Sequence, residues 1–132
     1  MQLPTAGLIV LKENRILLAF SKNKEAWYLP GGKIDAGEPP AQALVREIKE
    51  ELSIEINPQL LHFYCHVTAP AYGEEQYTME QECFLYPLKE RAVANSEIAA
   101  IRYFSFEEYL RESVQVCGVI EVFENLKRDQ LL

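Results

Sequence analysis

The sequence predicts an α/β protein in which a mixed β-sheet lies between α-helices. Three observations carry that reading. Two short apolar segments flank Glu13-Asn14 near the start, as the arms of a hairpin do. One long stretch, Pro40 to Leu52, has the apolar spacing of a helix. Strand-like runs then follow one another until a second amphipathic stretch closes the chain. A length of 132 residues is enough for one domain, 1–132, with a substantial core.

The elements are read in chain order. Residues 5 to 12 (TAGLIVLK) form a strand, Glu13-Asn14 a tight turn and Arg15 to Ser21 the returning strand. Ser21 to Ala26 is a polar loop carrying Lys22 and Lys24. Trp27 to Pro30 is a short extended segment that feeds Gly31 and Gly32. Pro39 and Pro40 fix φ where a helix can begin. Ala41, Leu44, Val45, Ile48 and Leu52 then make one apolar stripe. Asn57-Pro58 ends that element, and Gln59 to Thr68 is a strand rich in aromatic and branched residues. Alternation puts His62 and His66 on one of its faces and Cys65 on the other.

Ala69 to Glu75 is a loop and Gln76 to Leu88 a long strand. Met79, Gln81, Cys83 and Leu85 share one face of that strand; Glu80, Glu82, Phe84 and Tyr86 share the other. Lys89 to Ser96 is a polar connection and Ile98 to Phe104 the last strand. Ser105-Phe106-Glu107-Glu108 is a capping box opening a short helix. Val116, Val119, Ile120, Phe123 and Leu126 give the final amphipathic helix, with Gly118 as a mild weakness.

The chemistry concentrates between Gly31 and Leu52. The loop from Gly31 to Gly37 has little side-chain bulk and one cation, Lys33, which suits a phosphate ligand. On the helix behind it Glu47, Glu50 and Glu51 stand at i, i+3 and i+4, crowding three carboxylates on one face. A hard divalent cation such as Mg²⁺ relieves that repulsion by taking carboxylate oxygens. A solvated acidic face is the plainer alternative.

The stretch from Gly32 to Ile54 resembles the Nudix box, G-x5-E-x7-R-E-U-x-E-E-x-G-U. Gly32, Glu38, Arg46-Glu47, Ile48, Glu50-Glu51 and Ile54 match it. Ser53 replaces the second glycine, a left-handed helix cap where serine costs up to about 1 kcal/mol. Trp27-Tyr28-Leu29-Pro30 extends the likeness upstream, since W-x-L-P-G-G is a common entry to such boxes.

The resemblance implies the Nudix fold and Mg²⁺-dependent hydrolysis of a pyrophosphate bond in a nucleoside diphosphate linked to another moiety, with Mn²⁺ as a substitute metal. Glu50 and Glu51 are the first ligands it implies, with Glu47 as further ligand or general base and the Gly31 carbonyl as an extra ligand. Glu97, just before a strand carrying Tyr103-Phe104, corresponds to a distal glutamate that joins the metal site or acts as base. Arg46 is expected to pair with Glu38 or Glu47. Lys33 and Gly32 are the expected phosphate contacts. Trp27 and Tyr77 are expected substrate contacts, Trp27 with a competing role in the core, and Tyr72 shares the stacking role weighed for Tyr77. Nucleoside triphosphates, ordinary or oxidised, are favoured; ADP-ribose and nucleotide sugars stay open, and Pro70, 16 residues beyond Ile54, leans towards ADP-ribose. A non-catalytic nucleotide-sensing module on the same fold is the alternative, and an isomerase of the isopentenyl diphosphate type is a third.

Composition narrows the partners. A net charge of −7 disfavours a nucleic-acid polymer, whose binding rests on many Lys and Arg contacts. No run of about 18 apolar residues exists, so no membrane partner is expected. The first residues lack a signal-peptide layout, and Cys65, Cys83 and Cys117 suit buried thiols in a reducing cytoplasm. The resemblance also allows a homodimer.

Overall fold

The computed structural model describes residues 1–74 and 76–132. The described residues form eight strands: β1 (Gln2–Ile9), β2 (Leu11–Lys12), β3 (Arg15–Ser21), β4 (Ala26–Tyr28), β5 (Gly31–Lys33), β6 (His62–Pro70), β7 (Thr78–Leu85) and β8 (Ile98–Phe104). Three helices accompany them: α1 (Pro40–Leu52), α2 (Phe106–Tyr109) and α3 (Cys117–Arg128). A mixed sheet runs β5-β1-β7-β6, with β1 and β7 parallel and the other pairs antiparallel. A second, antiparallel sheet centres on β3, with β8 along one edge and β2 and β4 on the other.

Alternation along the strands decides what the helices cover. Ala6, Leu8, Val10 and Leu17 join Leu44, Ile48 and Leu52 of α1 in one buried cluster. Ile9, Ile16 and Leu18 join Val119, Val122, Phe123 and Leu126 of α3 in another. Strand material therefore lies between α1 and α3, each helix burying its apolar stripe against it.

Several boundaries differ from the sequence reading for local reasons. The first strand starts at Gln2 and breaks at Val10, where the chain passes from the mixed sheet to the antiparallel one. Only Leu11 and Lys12 are left to pair with β3 across the turn, in which Glu13 and Asn14 both have positive φ (51° and 62°). The strand expected from Gln59 begins later, at His62. Asn57 accepts from the Gln59 amide and holds Pro58–Leu60 in a 3-10 turn. The strand expected from Gln76 to Leu88 is Thr78–Leu85, because Tyr77 closes a turn with Ala71 and Glu74. Glu75, in the expected 69–75 loop, lies outside the described residues, and Ala69-Pro70 belong to β6.

The histidine reading is also corrected. The β6–β7 register shifts between Phe63 and Cys65, so His62 and His66 fall on opposite faces. His66 lies between Glu82 (2.5 Å) and Glu80 (2.6 Å), which raise its pKa. Both glutamates are thereby paired with His66 of β6. Among the thiols only Cys83 is buried; Cys65 is half-buried and Cys117 exposed.

The Ser105–Glu108 capping box forms as its spacing predicts, with both reciprocal bonds present. Ser53 takes the left-handed conformation (φ 57°, ψ 37°) at the end of α1, the place a glycine would fill without strain. No helix among the described residues is long and apolar enough to cross a membrane.

Candidate active site

Two glycines bring β5 and α1 into contact. Gly31 sits at φ 144°, and a Cβ there would lie 2.0 Å from the Ala6 carbonyl oxygen on β1. At Gly32 a Cβ would lie 2.5 Å from the Glu47 carboxyl group. Only residues without a side chain let the strand run this close to the acidic face of the helix.

Carboxylates from two separate parts of the chain meet there. One oxygen each of Glu47, Glu51 and Glu97 lies within 4.8 Å of the others. Glu51 is 6% exposed and accepts the Gly31 amide at 3.0 Å. Glu97 is carried in by the connection before β8, and the end of α1 holds that connection. The Val93 and Asn95 amides donate to the Leu52 and Glu51 carbonyls (3.0 and 2.9 Å), which are unpaired as the last carbonyls of a helix. The Asn95 side chain donates to Ser53, and the Lys22 amide donates to the Glu97 carbonyl (2.9 Å).

Burial and mutual repulsion set the proton affinities. The Glu51 carboxyl is pushed up to about 8, first by desolvation, then by Glu97 and Glu47, against the opposing Gly31 amide. Desolvation also raises Glu47. Glu97 is lowered, first by the Ser96 side chain. A buried carboxylate surrounded by like charges holds its proton until a cation takes its place.

Arg46 locks the loop to the helix. Its guanidinium binds the Glu38 carboxylate at 2.8 and 3.1 Å, the Lys33 carbonyl at 3.1 Å and Glu47 at 3.3 Å. Both acidic partners weighed for it from the sequence are engaged. The guanidinium lowers the Glu38 carboxyl, and Glu38 in turn accepts the Asp35 amide, which closes the glycine loop.

A cavity of about 240 Å³ opens beside the carboxylates, between the two sheets. Gly31, Gly32, Lys33, Glu51 and Glu97 border it on one side, and β1, β3, β4 and β7 on others. Pro70 at the end of β6 and Ala71, Tyr72 and Glu74 of the loop after it border the cavity too, and a Lys24–Glu74 ion pair (3.5 Å) joins that loop to the one after β3.

The expected site residues separate accordingly. Gly31, Gly32, Lys33, Glu51 and Glu97 come together at the cavity, with Glu47 and Arg46 directly behind. Glu50 is exposed on the same helix and lies outside the three-carboxylate cluster. Trp27 does not border the cavity. It packs edge-on against Phe20 (5.2 Å) and Phe104 (4.9 Å), which is its core role. Tyr28, one residue on and therefore on the opposite face, borders the cavity in its place. Tyr72 borders the cavity and Tyr77 does not.

The sequence reading missed Tyr28, Thr5 and Gln81. Strand alternation after a core Trp27 would have found the first. The other two carry no local signal, since only the pairing of β1 with β7 sets them side by side.

Residues 1–117 match the family model for the NUDIX domain. A putative ADP-ribose pyrophosphatase of Bacillus subtilis is 46% identical over 52 residues, 39% of this chain and 25% of that protein. An 8-oxo-dGTP diphosphatase of Proteus vulgaris is 40% identical over 55 residues, 39% of this chain and 49% of that protein. The chain thus spans between about a quarter and a half of the length of these curated relatives. The MutT NUDIX hydrolase of Burkholderia pseudomallei superposes with a TM-score of 0.80 at 22% identity, covering 96% of this chain and 98% of that one. The NUDIX domain of Shewanella oneidensis NrtR, solved with ADP ribose, gives 0.75 at 17% identity, covering 100% and 90%. These two likenesses are of fold.

Proposed function

The chain belongs to the Nudix family, and on that premise we propose that it is a Mg²⁺-dependent pyrophosphohydrolase of a small nucleoside diphosphate derivative. The observation that carries the reading is the meeting of Glu47, Glu51 and Glu97 at the border of a cavity large enough to admit part of a nucleotide. The donor set fits a hard divalent cation. It offers carboxylate oxygens, one of them buried and holding a proton for want of a positive neighbour. A loop of small residues with Lys33 adjoins it.

Glu51, Glu97 and Glu50, with the Gly31 carbonyl, are the residues that would hold the metal. Mn²⁺ would serve the same oxygens. When bound, the metal neutralises the pyrophosphate and raises the acidity of water for attack on phosphorus. Glu47, whose proton affinity burial raises above that of a free carboxylate, accepts the proton from the attacking water. Glu97 is the second candidate for that role. Arg46 holds Glu47 in position through its grip on Glu38 and the Lys33 carbonyl. Lys33 binds phosphate oxygens. The substrate is a nucleoside triphosphate, ordinary or oxidised, with ADP-ribose as the nearest competitor because Pro70 and Tyr72 border the cavity. The site of action we assign is the cytoplasm.

A screen with Mg²⁺ tests this, with added pyrophosphatase and phosphomonoesterase turning the pyrophosphate or phosphomonoester products into measurable phosphate. It offers ordinary and oxidised nucleoside triphosphates, ADP-ribose and nucleotide sugars to the protein and to its Glu51→Gln variant. Turnover of one class, lost by orders of magnitude in the variant, is the expected result. Binding of a nucleotide without turnover of any would refute the hydrolase and favour a sensing module.

A further inference from the structure

Two polar side chains that the chemistry above does not use border the same cavity, one of them on β1 in direct register with Lys33 of β5. Thr5, on β1, is 7% exposed, and its hydroxyl is a buried side-chain oxygen with no hydrogen-bond partner among the described residues. Gln81, on β7, is 9% exposed and stands directly opposite Thr5 in the parallel β1–β7 register. Both border the cavity.

Neither side chain has its polar groups fully paired among the described residues. A buried hydroxyl without a partner costs free energy that valine, nearly the same shape, would not. The Gln81 carboxamide lies against the backbone of Gly7, where even a Cβ would come within 2.9 Å of its Nε2. Its Oε1 is approached only by the weak Cys83 thiol donor, at 3.7 Å, and its Nε2 donates to no described residue. Around the pair the walls are apolar or aromatic, with Leu3, Leu29, Met79 and Tyr28 bordering the same space. Flat apolar walls around a donor and acceptor set side by side suit one kind of ligand, a heterocyclic base presented by its polar edge. A sugar presents hydroxyls all round, and an alkyl chain presents nothing to bond.

We propose that Thr5 and Gln81 form the base-reading edge of this site, selecting among nucleotides by hydrogen bonds to the polar edge of the nucleobase. The inference rests on the hydrolase reading above and adds to it which residues choose the base. The carboxamide supplies one donor and one acceptor, and the Thr5 hydroxyl turns to supply whichever a third base atom requires. A site built to bond such an edge rejects a base with the wrong pattern strongly, because its own buried groups are then left unpaired.

The test compares Thr5→Val and Gln81→Leu with the wild type over the four common nucleoside triphosphates, with kcat and KM separated and the thermal midpoint measured without ligand. The expected result is a fall of about tenfold or more in kcat/KM for the preferred base, carried mainly by KM, and a narrowing of the spread among bases. The midpoint of Thr5→Val should hold or rise. An unchanged spread among bases in both variants, with the wild type active, would overturn the proposal. So would an equal loss on every nucleotide accompanied by a lowered midpoint, which marks a structural role. A wild type that turns over no nucleotide defeats the hydrolase reading instead. In that case binding of nucleosides without phosphate, followed by the same midpoint shift, still decides whether the pair reads a base.

Discussion

Replacing Glu51 with glutamine should destroy activity and stabilise the metal-free protein. The same burial that makes this carboxylate useful makes it costly. It is 6% exposed, faces Glu47 and Glu97, and has its pKa raised from 4.5 to about 8. Because the folded-state value is the higher one, its contribution is complete below pH 4.5 and is lost as pH rises through about 8. At about 1.4 kcal/mol per unit, the mismatch is on the order of 2 kcal/mol at pH 6 and on the order of 4 kcal/mol above pH 8. Glutamine keeps an oxygen for the Gly31 amide but never ionises, so the variant escapes this cost. For a domain of this size each kcal/mol moves the thermal midpoint by roughly 3–5 °C. In EDTA the variant should therefore melt later than the wild type, by about 10 °C or more at pH 8 and by progressively less towards pH 5. Added Mg²⁺ should narrow the gap by stabilising the wild type alone. Thermal melts of both proteins across pH, with and without Mg²⁺, measure all three trends. A variant that melts earlier than the wild type at pH 8 in EDTA, or a gap that ignores pH, would refute the account of Glu51.

Three further substitutions probe the supports of the site. Gly32→Ala puts a Cβ 2.5 Å from the Glu47 carboxyl; the displaced glutamate should lower kcat by about 100-fold, while circular dichroism shows an intact fold. Arg46→Lys keeps the charge but loses the fork that joins Glu38, the Lys33 carbonyl and Glu47. A loss of about tenfold in kcat is expected, and an unchanged rate would show that the clamp is dispensable. Ser53→Gly relieves the positive φ of 57° at the end of α1. The urea midpoint should rise by an amount equivalent to about 0.5–1 kcal/mol, less whatever the Asn95 contact supplies, and a lower midpoint would mean that contact outweighs the backbone strain.

The limits of helix α1, its apolar stripe and its acidic face could be read from the sequence because all of them are local. Pro39-Pro40 sets the start, a period of 3.6 sets the stripe, and Ser53 in the left-handed conformation sets the stop. The same holds for the capping box at Ser105 and for the β7 alternation that separates Gln81 and Cys83 from Glu80 and Glu82. Bends and bulges were not legible. The break at Val10 that divides the first strands between two sheets, and the shift near Cys65 that parts His62 from His66, answer to packing on both sides of the sheet.

By itself, then, the sequence determined the helix, the glycine loop and the three glutamates it carries, since those features need only neighbours along the chain. The tertiary structure decided which carboxylates meet. Glu97 reaches Glu51 only because its connection bonds to the last carbonyls of α1, while Glu50, one residue before Glu51, stays exposed at the edge of that cluster. It also sent Trp27 into the core and Tyr28 to the cavity, and it set Thr5 beside Gln81. Those placements depend on contacts between residues far apart in sequence, and strand pairing and burial fix them where local propensity carries no information.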